Sequence, residues 1–182
     1  MSLPHALMVS LLEKSCSGYD LAQRFGKSIG YFWQASHQQI YRELAKMEEN
    51  GWVKSEAEDG SKTRKRTYHV LEEGVIELKR WVAESIDPPQ QREAFFVRLR
   101  ADAAMGPLGL EGELLRRIHI HEQKLKTYRL IEQRDFLSVK DHLKGGASRA
   151  LRIQHMLLKA GILHEETALA WSKETYKILT EE

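Results

Sequence analysis

Apolar residues recur along this chain at two periods, and the switch between them marks out its elements. Between Leu3 and Lys14 they fall at Leu7, Met8, Leu11 and Leu12, the pattern of a helix with one buried face. Ser17 and Gly18, in the SCSG stretch that follows, supply turn chemistry and a cap for the next segment. A short helix is predicted over Tyr19 to Lys27, with Leu21, Ala22 and Phe25 inward. After the GKSIGYFWQAS loop, Ser36 stands as the N-cap of a third helix, whose buried stripe is Ile40, Leu44 and Met47. Asn50-Gly51 closes that helix with residue types that tolerate a left-handed C-terminal conformation.

The period then shortens. WVKSEAE, Trp52 to Glu58, and RTYHVL, Arg66 to Leu71, read as strands, with Trp52 and Val53 entering from the core. Asp59-Gly60 between them is a hairpin signal. Helical spacing returns in EEGVIELKRWVAE, at Val75, Leu78, Trp81 and Val82. Three helices, a strand, a hairpin, a strand and a helix make the plan of a winged helix-turn-helix with a two-stranded wing. Pro88-Pro89 breaks the chain after it. We therefore expect a mainly α protein, with a winged helix-turn-helix over residues 1–85 and an all-helical domain over 90–182.

In that second region Gln90 to Ala104, Gly109 to Leu137 and Gly146 to Thr180 read as helices. Leu114, Ile118, Leu125 and Tyr128 form a seam close to a heptad, and Leu158, Ile162 and Leu169 form another. Thin helical regions with long seams rarely bury themselves alone, so these seven residues are expected to complete their core in a second subunit of a two-fold dimer. An antiparallel hairpin within one chain accounts for the same pattern.

Composition adds limits. Among 182 residues, 30% are charged and 42% apolar, with only four prolines, as in a helix-rich soluble protein. There is no run of eighteen apolar residues and no signal-peptide pattern at the N-terminus, which leads us to expect the cytoplasm and no membrane partner. Cys16, the only cysteine, has no disulfide partner and no zinc pattern; we read it as packed or idle rather than as a redox sensor. His119 and His121 sit two apart on a helix and point away from each other, which excludes a shared metal site. His121 falls on the seam, where it would tune association with pH, or else is simply part-exposed. No phosphate-binding glycine loop, Ser/His/Asp motif or HExxH occurs, so neither an enzyme nor a cofactor is expected.

Net charge is only +2, but four of the five residues from Lys62 to Arg66 are cations, on the expected wing. Lys62, Arg64, Lys65 and Arg66 would lie near phosphates or the minor groove, giving affinity that falls with salt by a log–log slope of about −0.9 per neutralised phosphate. A recognition helix offers its first turns to the major groove. With Ile40, Leu44 and Met47 inward, Gln38 and Arg42 project together and Gln39 flanks them. Gln pairs with adenine and Arg with guanine through two hydrogen bonds each. Ser36 and Tyr41 suit phosphate or sugar contacts, although Tyr41 fits core packing equally well.

WQASHQQIYRELAKMEENGWV and RKRTYHVLEEGVIELKRWV resemble the N-terminal domain of the PadR family of bacterial transcriptional regulators, and LPHALMVSLLEKSCSGYDLAQRF is similar to its first two helices. The helical remainder resembles the PadR/AphA-like subgroup with a long C-terminal domain. The family usually places Thr before the Glu-Glu-Gly that follows the wing; Leu71 stands there and removes an N-cap worth about 1 kcal/mol. The resemblance implies a homodimeric, sequence-specific regulator of double-stranded DNA, more often a repressor, on a pseudo-palindromic operator. It also implies a small aromatic effector, for which Trp33, Trp81 and Trp171 are candidate lining residues and core packing the competing reading. A different class, a winged-helix protein-interaction module that docks an acidic partner, uses the same basic hairpin.

Overall fold

The computed structural model describes residues 3–27, 35–57, 66–88, 90, 92–137 and 148–181. The chain divides into two compact units, Met1–Pro89 and Gln90–Glu182. The first contains α1 (Leu3–Glu13), β1 (Cys16–Ser17), α2 (Gly18–Lys27), α3 (His37–Glu49), β2 (Val53–Ala57), β3 (Arg66–Val70) and α4 (Glu72–Val82). Its core is made by the inward faces of three helices: Leu7, Met8 and Leu11, then Leu21, Ala22 and Phe25, then Ile40, Leu44 and Met47, closed by Val53. Each of the larger side chains contributes about 1.5–3 kcal/mol by leaving water. Leu12 and Val82, expected inward, are exposed; only Leu11 reaches the core from the last turn of α1.

Arg24 of α2 terminates α1, donating to Ser10 Oγ at 3.2 Å, to the Ser10 carbonyl and to the Lys14 carbonyl at 2.7 Å. It thus places a cation on the negative end of the helix dipole. Ser17 caps α2, its Oγ accepting the Asp20 N–H at 3.1 Å and donating to Asp20 Oδ2 at 2.7 Å. The same residue belongs to β1, which pairs antiparallel with β3 through Cys16↔Tyr68 and Ser17↔Thr67. The sheet is therefore three-stranded, in the order β1-β3-β2. A two-residue strand is too short for alternation to show in sequence, and SCSG reads there only as a turn.

The end of α3 is closed by paired bonds, Trp52 N–H to the Met47 carbonyl at 2.9 Å and Gly51 N–H to the Glu48 carbonyl at 3.1 Å, with Gly51 at φ +69°. This is the Schellman arrangement that glycine accepts without strain. The Trp52 carbonyl then accepts the Leu71 N–H at 2.9 Å. Leu71 opens α4 without a side-chain cap. In the first turn of α4, a Cβ on Gly74 would lie 2.3 Å from that same carbonyl oxygen. α4 is pinned to α1 by Glu77, which faces His5 Nε2 at 3.0 Å and Arg80 through two bonds of 2.7 Å. His5 stacks on Trp81 at 4.5 Å. Arg80, and after it His5, hold the Glu77 carboxyl down at about 2.

The second unit contains α5 (Ala94–Met105), α6 (Glu111–Glu132), which runs on as a π-helical turn over Gln133–Leu137, and α7 (Arg149–Thr180). α6 and α7 run antiparallel: His121 Nδ1 meets Glu165 Oε2 at 2.5 Å, while Glu132 Oε1 meets His155 Nε2 at 2.9 Å. Between these reciprocal pairs, Tyr128 packs on Gly161, where a Cβ would stand 3.1 Å from the ring. Leu114, Tyr128 and Ile162 are buried by the chain itself, and Ile118, Leu125, Leu158 and Leu169 lie half-buried. The expectation that these residues form the subunit contact gives way, for the buried three, to its alternative of a hairpin within one chain.

Two outcomes follow. Gly74→Ala forces backbone to move at the Trp52 carbonyl and lowers the stability of the winged unit by about 1–3 kcal/mol in chemical denaturation. Because the Glu77 carboxyl is depressed, its contribution is complete above the ordinary carboxylate value near 4.5 and is lost as pH falls towards 2. Thermal unfolding followed across that window shows a falling midpoint, and Glu77→Gln flattens the fall.

Candidate nucleic-acid interface

The first turn of α3 is built by a capping box. Ser36 Oγ accepts the Gln39 N–H at 3.2 Å and Gln39 Oε1 accepts the Ser36 N–H at 2.8 Å. Two of the otherwise unsatisfied donors of a helix start are thereby met, and the entry angle of the chain is set. Ser36 and Gln39 therefore both have a structural task besides the contacts proposed for them in the sequence. Ile40, Leu44 and Met47 face the core at 1%, 0% and 1% exposure, which leaves Gln38 and Arg42 on the solvent side, four residues apart. The positive end of the helix dipole also points out of this first turn, towards wherever an anion would lie.

Tyr41 is both packed and accessible. It is 45% exposed, yet its ring closes over the start of α2, where a Cβ on Gly18 would stand 2.6 Å from Tyr41 Cε1. The neighbouring Tyr19, on the first turn of α2, is exposed and meets His37 edge-on at 6.4 Å. Tyr19 and His37 thus extend the polar surface from α3 to α2. Sequence reading missed them, because Gly18-Tyr19 signals only a helix start there.

Lys62, Arg64 and Lys65 lie outside the described residues. Arg66, at the start of β3, donates from Nη2 to the Ser55 carbonyl at 3.2 Å and stands 3.9 Å from Glu48 Oε1. It belongs to the root of the wing, exposed but partly neutralised. Glu48 also accepts the Ser55 N–H at 2.9 Å and the Ser55 hydroxyl at 2.6 Å. Burial, and next this carboxylate, push the Tyr68 hydroxyl above its ordinary value. The candidate aromatic residues each pack in their own unit: Trp81 on His5, and Trp171 against Phe96 at 5.1 Å and Phe95 at 6.4 Å. Trp33 lies outside the described residues. No metal-holding cluster occurs among the described residues, and no helix there is long and apolar enough to cross a membrane.

Helices α2 and α3 with the β2–β3 wing make the first unit a winged helix-turn-helix, followed by a separate helical unit. Residues 7–80 match the family profile "Transcriptional regulator PadR-like family", and residues 91–180 match "Virulence activator alpha C-term". A Mycobacterium tuberculosis protein named "Probable transcriptional regulator Rv1176c" is 38% identical over 192 aligned residues, covering 100% of this chain and 99% of its own. The chain belongs to the PadR-like family of transcriptional regulators, which is not a family of enzymes. Among solved structures, the Vibrio cholerae virulence activator AphA superposes with a TM-score of 0.82 at 28% identity, over 98% of both chains. Bacillus subtilis PadR in complex with operator DNA gives a TM-score of 0.76 at 20% identity over 98% and 99%, a likeness of fold.

The capping box is directly measurable. Ser36→Ala removes it and lowers stability by about 1 kcal/mol in denaturant unfolding, whereas Ser36→Asp, which keeps an acceptor, stays within about 0.5 kcal/mol of the parent.

Proposed function

We propose that this regulator binds double-stranded DNA sequence-specifically as a homodimer on a pseudo-palindromic operator, and that it represses by occupying a promoter. The observation that carries the reading is the outward face of α3. Gln38 and Arg42 are exposed side by side on a helix whose opposite face is core and whose first turn is locked by its cap. Residues of these types read base edges in a major groove. Tyr41, Ser36 and Arg66, with Lys62, Arg64 and Lys65 of the wing, contact the backbone and supply affinity without sequence preference.

The helical unit supports the dimer. α7 turns one row, Leu158, Ile162 and Leu169, towards α6 and leaves a second apolar row outside, including Ile153, Met156, Leu163, Trp171 and Ile178. These five fall on one side of the helix, at steps of three, seven, eight and seven, close to the repeat a partner helix requires. We place the contact between subunits there. Control by a small aromatic effector belongs to the same proposal and rests on membership of the PadR-like family.

Selection of bound duplexes from a random pool recovers a palindromic site. On it, Arg42→Ala reduces discrimination against random duplex by about 1–3 kcal/mol. Neutralising Lys62 and Arg64 weakens both duplexes alike and makes the salt slope shallower by about one for each phosphate no longer neutralised. An unchanged operator-to-random ratio in Arg42→Ala would remove its base-reading role, and salt-sensitive binding with no selected sequence would favour the protein-interaction reading.

A further inference from the structure

The last turn of a recognition helix is an unfavourable place for an acid, because the carbonyl end of the helix dipole already carries negative charge. Glu48 nevertheless stands there, and its carboxylate is turned onto the wing. One oxygen, Oε1, accepts both the N–H and the hydroxyl of Ser55, at 2.9 and 2.6 Å, with Arg66 Nη2 3.9 Å away. Arg66 closes the circle by donating to the Ser55 carbonyl at 3.2 Å. Ser55 lies in the middle of β2 and Arg66 opens β3, so the network grips both strands. Charge-assisted bonds of this length are the stronger kind, and the Glu48 side chain is only 38% exposed.

We infer that Glu48 is a positioning residue for DNA binding: through Ser55 and Arg66 it holds the wing at a set direction from the reading face of α3. The inference rests on the DNA-binding reading above. If wing and helix are held rigidly, phosphate contacts by one follow docking of the other as an intramolecular event; a loosely hinged wing makes fewer of them. The cations Lys62, Arg64 and Lys65 lie in the sequence between Ala57, the last residue of β2, and Arg66, the first of β3.

Glu48→Ala and Glu48→Gln remove the same charge, and only Gln retains a carbonyl oxygen able to accept from Ser55. The comparison between them therefore cancels the electrostatic gain of deleting an acid near DNA. The full-length variants are titrated with a random-sequence duplex of about 30 base pairs over a salt series. Glu48→Ala is expected to bind about tenfold more weakly than Glu48→Gln, with a log–log salt slope shallower by about one to two. Ser55→Ala, which deletes one of the two bonds and no charge, is expected to shift the same way from the parent by a smaller factor. Should Glu48→Ala fail to unfold cooperatively, Ser55→Ala against the parent carries the comparison. Equal affinity and slope for the Ala and Gln variants overturn the positioning role, and a lower melting temperature without a change of slope reduces it to ordinary stability. A parent protein that binds no duplex DNA overturns the functional reading and this role with it, an outcome distinct from a parent that binds with its variants unchanged.

Discussion

At Gly51 the chain turns through φ +69°, and four elements depend on what that turn does with the next carbonyl. The turn ends α3 and sends Trp52 into β2, so that the Trp52 carbonyl faces the entry to α4. There it accepts the Leu71 N–H, which anchors the end of β3, and it approaches Gly74 closely enough to exclude a Cβ. The recognition helix, both wing strands and the closing helix are thus tied to one peptide group. α4 starts without a side-chain cap, and this contact takes over the task of fixing its first turn. In place of a side-chain cap, the Leu71 N–H bonds to the Trp52 carbonyl and Gly74 packs against it.

Charged groups do different tasks in the two units. In the winged unit, acids join elements: Glu77 ties α4 to α1, and Glu48 ties β2 to α3, while Gln38 and Arg42 stay exposed on the first turns of α3. In the helical unit, carboxylates enter the seam. Glu165 and Glu132 are 3% and 6% exposed and are matched by His121 and His155 from the opposite helix. Buried polar pairs add little net stability, since desolvation offsets most of the attraction. Their better-attested use is to specify register, because sliding α6 along α7 would part both carboxylates from their histidines and leave Glu132 with Arg129 of its own helix.

Much of the winged unit is legible in the sequence. The stripe of Ile40, Leu44 and Met47, the stop at Asn50-Gly51 and the cap at Ser36 each follow from local backbone preference or from helical period, and each holds. β1 is not legible, because two residues carry no period. The Glu48–Ser55 bonds are not legible either: they join residues seven apart across a left-handed turn, and nothing in the spacing of charges distinguishes such a carboxylate from a solvated one. Gln39 shows the converse. It looks like one more polar residue of the reading face, and its position three after Ser36 gives it a capping role that the same sequence already contains.

The helical unit marks the boundary most clearly. Heptad spacing is enough to say which residues of α6 and α7 turn inward, because it specifies a row on a helix and that row needs an apolar partner. It does not say whose helix supplies the partner. A row of Leu158, Ile162 and Leu169 is equally satisfied by α6 of its own chain or by a second subunit, since the side-chain geometry of the two contacts is the same. The choice is made in three dimensions: the chain folds back on itself, and the reciprocal His–Glu pairs join α6 to α7.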